Sequence, residues 1–190
     1  NEDGSARVTP IIPSQRTCSA CRNNIPLIEF YPNYVDHISL INEAINKKGF
    51  VGYLLLSDGN PIGFSWGYQT PRERTQSVDF ALVNPLLKMN GIDPKETFYG
   101  AEIGIIGAYQ GRGLGSPLSA IRLKEAANNG YKVFITRTIN ERVHTILEGV
   151  FSQEKGKPLF NDPLRGTPWF SWEFSKIDEN KINNLVNKIS

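Results

Sequence analysis

At 190 residues the chain is of single-domain size, long enough to bury a core without staples, and its 39% apolar and 21% charged residues exclude wholesale disorder. Its 21 basic and 19 acidic side chains are scattered in both signs to a net charge of +2, so no basic stripe meets a nucleic-acid backbone and nucleic acid is not an expected partner. No apolar run approaches the roughly 18 residues of a membrane span and none resembles a signal peptide, so no membrane partner is expected and a cytoplasmic protein is.

Residues 1–30 read as an irregular N-terminal arm, in which residues 1–17 mix Gly4, Ser5, Pro10, Pro13 and Ser14 with few large apolar side chains. The arm carries both cysteines of the chain, Cys18 and Cys21, as a CxxC pair. Three readings stand: half of a structural zinc site, a redox pair, or two ordinary cysteines. Zinc needs four ligands, and only His37 and His144 are left in the chain to complete them. The chain opens on Asn1 and not on Met, which leads us to expect sequence upstream; that, or a second subunit, would supply further ligands. Thioredoxin-type chemistry fits less well, because no strand pattern precedes the pair and no suitable helix follows it.

The domain proper is expected over residues 31–175. Val35, Ile38, Ile41 and Ile45 recur at helical spacing, with Asp36 in the first turn, Lys47 and Lys48 in the last and Gly49 as the stop; this predicts a surface helix ending near residue 48. His37 reads as a half-exposed residue of that helix. Residues 50–56 and 61–68 are apolar and aromatic runs joined by Ser57-Asp58-Gly59-Asn60, a turn composition that predicts an antiparallel hairpin in which Trp66 and Tyr68 serve packing. Residues 68–98 then interrupt the sheet. The segment opens on Pro71-Arg72-Glu73-Arg74, and Pro85 argues against one unkinked helix over its apolar part, so a lid or acceptor-site wall is expected.

Ala101-Glu102-Ile103-Gly104-Ile105-Ile106 reads as a strand, and residues 117 to about 128, with Ala120, Leu123 and Ala127 on one face, as a helix. Between them lies Tyr109-Gln110-Gly111-Arg112-Gly113-Leu114-Gly115-Ser116. A glycine-rich turn from strand to helix gathers backbone N–H groups at the positive end of a helix dipole, which suits a phosphate-bearing cofactor. Asn129-Gly130 ends the helix, residues 133–136 form a further strand, and Asn140 caps a helix striped by Val143, Ile146, Leu147 and Val150. Strands at 157–160 and 169–174 follow across a Gly/Pro-containing loop. Residues 176–190 make a C-terminal amphipathic helix, with Ile182, Leu185, Val186 and Ile189 on one face, that docks on its own domain or on a partner such as a second copy of the chain.

Taken together this order resembles the GNAT (GCN5-related N-acetyltransferase) superfamily over about residues 35–174. Gln110-Gly111-Arg112-Gly113-Leu114-Gly115 matches that family's Q/R-x-x-G-x-G/A signature between strand and helix. Asn140 stands one helix and one strand later, where the family often has an asparagine near the pantetheine arm, and the preceding hairpin is similar to the family's second and third strands. A dinucleotide fold fits poorly: the glycines read G-x-G-x-G and not G-x-G-x-x-G, and the next strand ends in Thr136-Arg137-Thr138 where an acidic ribose ligand belongs. The fold class implied is α/β (α+β), a single domain with a mixed, mostly antiparallel central sheet flanked by helices.

The resemblance implies an acyltransferase using acetyl-CoA as cosubstrate and a primary amine, of a small molecule or peptide, as acceptor. Residues 110–116 (Gln110, Gly111, Arg112, Gly113, Leu114, Gly115 and Ser116) would hold the CoA pyrophosphate, and Ile105, Ile106 and Gly107 would pair with pantetheine like an extra strand. Pro117 removes one N–H near the helix start, which Ser116 offsets with its hydroxyl. The oxyanion donor would be a backbone N–H near Ile105 or Ile106. Many relatives place an acid tyrosine seven residues after the asparagine; here that position is Leu147. His144, one turn after Asn140, is the candidate in its stead, and Glu102 is the candidate base, with Arg137 as its ion-pair partner should its role be structural. The alternative is a non-catalytic acyl-CoA-binding or interaction module on the same fold.

Overall fold

The computed structural model describes residues 6–10, 34–152 and 154–189, with side chains from residue 39 onward. In chain order the elements are β1 (Ala6–Pro10), α1 (Tyr34–Ala44), β2 (Val51–Ser57), β3 (Asn60–Gln69), α2 (Phe80–Met89), β4 (Thr97–Ile105), α3 (Gly115–Asn128), β5 (Val133–Arg137), α4 (Glu141–Val150), β6 (Lys157–Asn161), β7 (Pro168–Glu173) and α5 (Glu179–Val186). The described strands form one seven-stranded sheet in the order β1-β2-β3-β4-β5-β7-β6, antiparallel throughout except where β4 meets β5. This is the mixed, mostly antiparallel sheet flanked by helices that was expected.

The local chemistry explains the elements. β2 and β3 turn on Asp58 (φ 50°) and Gly59 (φ 77°), two left-handed residues that match the twist of a tight hairpin. One sheet face is covered by α1 and α2 through Ala44, Phe80, Val83 and Leu87, which pack on Leu54, Trp66, Tyr68 and Tyr99. The other is covered by α3, α4 and α5 through Leu123, Leu147, Val150 and Ile182, which pack on Phe98, Phe134 and Trp172. Burying a large apolar side chain contributes about 1.5–3 kcal/mol, so these two layers hold the sheet from both sides.

Several expectations are corrected. The arm contains an edge strand, β1, paired to β2 from Ala6↔Ser57 to Pro10↔Tyr53, and a proline is tolerated at a sheet edge. α1 ends at Ala44, four residues before the expected end near residue 48, and Lys47 beyond it bonds Glu43 and Glu73. Pro85 does not divide its segment: α2 runs through it, capped by the Asp79 carboxylate, with Phe80, Val83 and Leu87 buried. The apolar part of residues 68–98 is therefore a helix whose buried face builds core. α5 docks on its own domain: Ile182 joins the α3–α4 core, and Lys124 Nζ donates to Asn183 Oδ1 at 2.8 Å.

Candidate functional site

The sheet forks beside β4. Trp66 faces Glu102 but Gly67 faces Gly100, so Ala101 is an extra residue, a bulge that bends β4. β5 accompanies β4 for only three residue pairs, Thr97↔Val133, Phe98↔Phe134 and Tyr99↔Ile135. Beyond them β5 stays with β7 as far as Arg137↔Trp169, while β4 stays with β3 as far as Ile105↔Gly63. At the point of divergence the buried Thr136 hydroxyl donates to the Gly100 carbonyl at 3.0 Å, so a side chain takes over where the backbone ladder stops.

The phase of the β4 ladder decides what faces the fork. The Ile106 N–H donates to the Ile62 carbonyl at 3.0 Å. Bonding directions alternate along an antiparallel strand, so the N–H and C=O of Ile103 and Ile105 turn away from β3 and into the fork. This corrects one expected oxyanion donor: the Ile106 N–H is committed to β3, and the fork-facing donors are those of Ile103 and Ile105.

β4 runs through Ile106 and a short 3-10 turn (Gly107–Tyr109) into the glycine loop. Gly111 and Gly113 have φ of +77° and +76°, where a side chain strains the backbone, and among the described residues a Cβ at Gly107, Gly111 or Gly113 would meet nothing within 4 Å. The loop thus presents bare backbone that no described side chain covers within that distance. Gly115 serves a different need, since its Cβ would lie 2.8 Å from Ile146 Cδ1 on α4. α3 begins at Gly115, two residues earlier than expected, which puts Pro117 at its third position and buried. The first helical bond there is Leu118 N–H to Leu114 C=O at 3.3 Å. The N–H groups of Gly115 and Ser116 precede it, as donors at the positive end of a 14-residue helix. Gln110 and Arg112 brace the loop: Gln110 Nε2 donates to the Ile105 carbonyl at 2.8 Å, and Arg112 Nη2 to the Ala108 carbonyl at 3.1 Å, with its guanidinium 4.8 Å from the Tyr109 ring.

After the end of β5 Asn140 caps α4, its Oδ1 accepting the Arg142 N–H at 3.0 Å. Glu102, paired to Trp66, lies on the α1–α2 face, while Ile103 and Ile105 pack on the α3 side with Leu55, Ile62 and Leu118. It stands within electrostatic reach of Tyr68 and Tyr99, whose phenols burial, with nearby acidic groups, raises well above the usual range and keeps neutral. Arg137, the expected partner, has two other bonds: Nη1 donates to Asp162 Oδ2 at 2.7 Å and Nη2 to the Ser77 carbonyl at 3.1 Å. His144 lies edge-on to Phe170 at 4.3 Å, against β7, on the side of α4 away from Ile146 and the glycine loop. Leu147 is sealed in the core, so the place of the relatives' tyrosine is here a packing position.

Sequence reasoning missed two residues at the fork, Thr136 and Arg122. Arg122 had a signal: a charged side chain on a helix stripe whose neighbours four residues away, Leu118 and Ala126, are core. Cys18 and Cys21 lie outside the described residues, and among the described residues no group of three or more His, Cys, Asp and Glu is placed to hold a metal ion.

No family model matches the sequence, and no curated protein matches it. Solved structures do. A GNAT-family protein of Desulfovibrio desulfuricans superposes with a TM-score of 0.57 at 14% identity, covering 90% of this chain and 99% of its own. An acetyltransferase of Thermus thermophilus gives 0.51 at 15% identity, covering 89% and 97%. An uncharacterized Bacillus halodurans protein gives 0.58 at 11% identity, covering 97% and 92%. The chain has the GNAT fold.

Proposed function

We propose that the protein transfers an acetyl group from acetyl-CoA to a primary amine by direct attack in a ternary complex. The observation that carries the reading is the fork: an edge of β4 left by β5 after three residue pairs runs straight into bare glycine backbone at a helix N-terminus. An extended pantetheine arm has backbone groups of Ile103 and Ile105 to pair with, and a pyrophosphate has the N–H groups at the head of α3. Asn140, which follows the end of β5, would approach the pantetheine arm. A fork-facing N–H would stabilise charge developing on the thioester oxygen, and Glu102, on the face opposite Ile103, would draw a proton from the amine directly or through water. Acetyl-CoA availability makes the cytoplasm the setting.

A second reading, an acyl-CoA-binding module without turnover, is favoured by one observation: the position of the relatives' tyrosine is the buried Leu147, and the His144 ring lies against Phe170. The two separate in one assay. The purified protein is mixed with acetyl-CoA and polyamines, aminoglycosides, amino acids or lysine peptides, and free CoA thiol is followed. We expect saturable acetyl-CoA binding and thiol release with one acceptor class. Binding without release across the panel sustains the module, and no binding ends both readings.

A further inference from the structure

Arg122 is the one charged side chain that α3 buries, at 3% exposure. A buried guanidinium is expensive unless its donors are met, and an apolar residue would be the cheaper choice on this stripe. Nη1 donates to the carbonyl oxygens of Trp66 and Glu102, both at 3.0 Å. The guanidinium carbon lies 5.6 Å from the Phe134 ring, and Nε has no hydrogen-bond partner among the described residues. Burial lowers the pKa to about 10, with the Glu102 carboxylate acting in the opposite direction, so the group is cationic at neutral pH. The cation therefore sits on both carbonyls of a single residue pair, the one adjoining the bulge at Ala101.

Peptide geometry carries this charge across the strand. In a trans peptide the C=O and N–H point in opposite directions. The Glu102 carbonyl is held on the β3 side by Arg122, so the N–H of that same peptide, which belongs to Ile103, points into the fork. A cation on the oxygen withdraws density from the nitrogen and strengthens its N–H as a donor. We propose that Arg122 is a positioning residue that pins the Glu102–Ile103 peptide at the bulge and polarises its N–H toward the thioester carbonyl oxygen of a bound acyl-CoA. The cost of burying the charge is then offset where it matters, because the interaction strengthens as negative charge develops on that oxygen. The inference rests on the acyl-CoA reading above.

The test is isotope-edited infrared spectroscopy of carbonyl-13C acetyl-CoA bound to the protein, with acetyl-CoA affinity and thermal stability measured alongside. In the wild type the thioester carbonyl band moves to lower wavenumber on binding. R122M loses most of that shift while its acetyl-CoA affinity stays within about twofold of wild type, since the loop and pantetheine contacts are intact. R122K, which keeps the charge beneath the peptide, retains most of the shift. Should R122M not fold, R122Q, which keeps a donor without the charge, takes its place with the same expected loss. A band at the same position in wild type and in the neutral variants, all bound, overturns the role of Arg122, as does an unshifted wild-type band. Failure of the wild type to bind acetyl-CoA overturns instead the function on which the inference stands.

Discussion

Gly113 and Gly130 make a matched pair that separates backbone strain from ligand binding. Both are left-handed, with φ of +76° and +83°, and a Cβ at either would meet no atom of the described residues within 4 Å. Gly113 lies in the loop at the head of α3, and Gly130 just past its other end. Alanine at such an angle costs about 1–2 kcal/mol. In a chain of this size 1 kcal/mol lowers Tm by about 2–4 °C, so G113A and G130A should each melt about 2–8 °C below wild type. Only G113A places a methyl where an anion would meet the backbone. Loss of one charge-assisted hydrogen bond there is worth about 1.5–3 kcal/mol, or roughly 10- to 100-fold in acetyl-CoA affinity. Titration calorimetry with acetyl-CoA, alongside thermal melts without ligand, reads both quantities. Equal acetyl-CoA affinity in G113A and G130A would refute the assignment of the loop as the phosphate cradle, whatever the melting temperatures.

E102Q should leave acetyl-CoA affinity unchanged and lower amine-dependent thiol release by about 10²- to 10⁴-fold, the range of a lost general base; an unchanged rate removes Glu102 from the chemistry. Installing the relatives' tyrosine as L147Y should destabilise by about 1–3 kcal/mol in urea unfolding without raising turnover, because the position lies inside the α3–α4 core. Asp162 supplies a pH test. Burial pushes its carboxyl up, but the Arg137 guanidinium and the N–H groups of Leu164 and Arg165 outweigh that and hold it below the usual carboxylate range. Its contribution to stability is therefore present above the unfolded pKa near 4 and disappears as pH falls through the folded value. D162N should lose stability at neutral pH and show a flatter acid limb than wild type; parallel pH profiles for the two proteins would contradict this.

The fold was legible where one local signal decided the outcome. Gly59, Gly111, Gly113 and Asn140 each announce a turn or cap that has a single inexpensive backbone solution, and the structure uses each of them so. Pro85 misled because propensity is a local quantity, while α2 is held by the burial of Phe80, Val83 and Leu87 around it. The fork-facing donors could not be read from composition, since the phase of β4 is set by the Ile106–Ile62 bond and by a bulge that only pairing with β3 reveals. His144 illustrates the same limit from the other side. Its helical position was read correctly as one turn after Asn140, but which neighbour that face meets, Phe170, depends on strand order at the far end of the chain.

The three-pair seam between β4 and β5 also has a meaning for how the chain assembles. β1 to β4 form one block of the sheet and β5 to β7 another, each held by antiparallel ladders, and only the three parallel pairs of the seam join the two. The two blocks are then separate cooperative units joined by a narrow weld, and amides at the seam should exchange hydrogen sooner than those in β3 or β7. A molecule lying along the fork would touch both units at once, and so would couple their unfolding by lengthening a junction that the polypeptide itself keeps short.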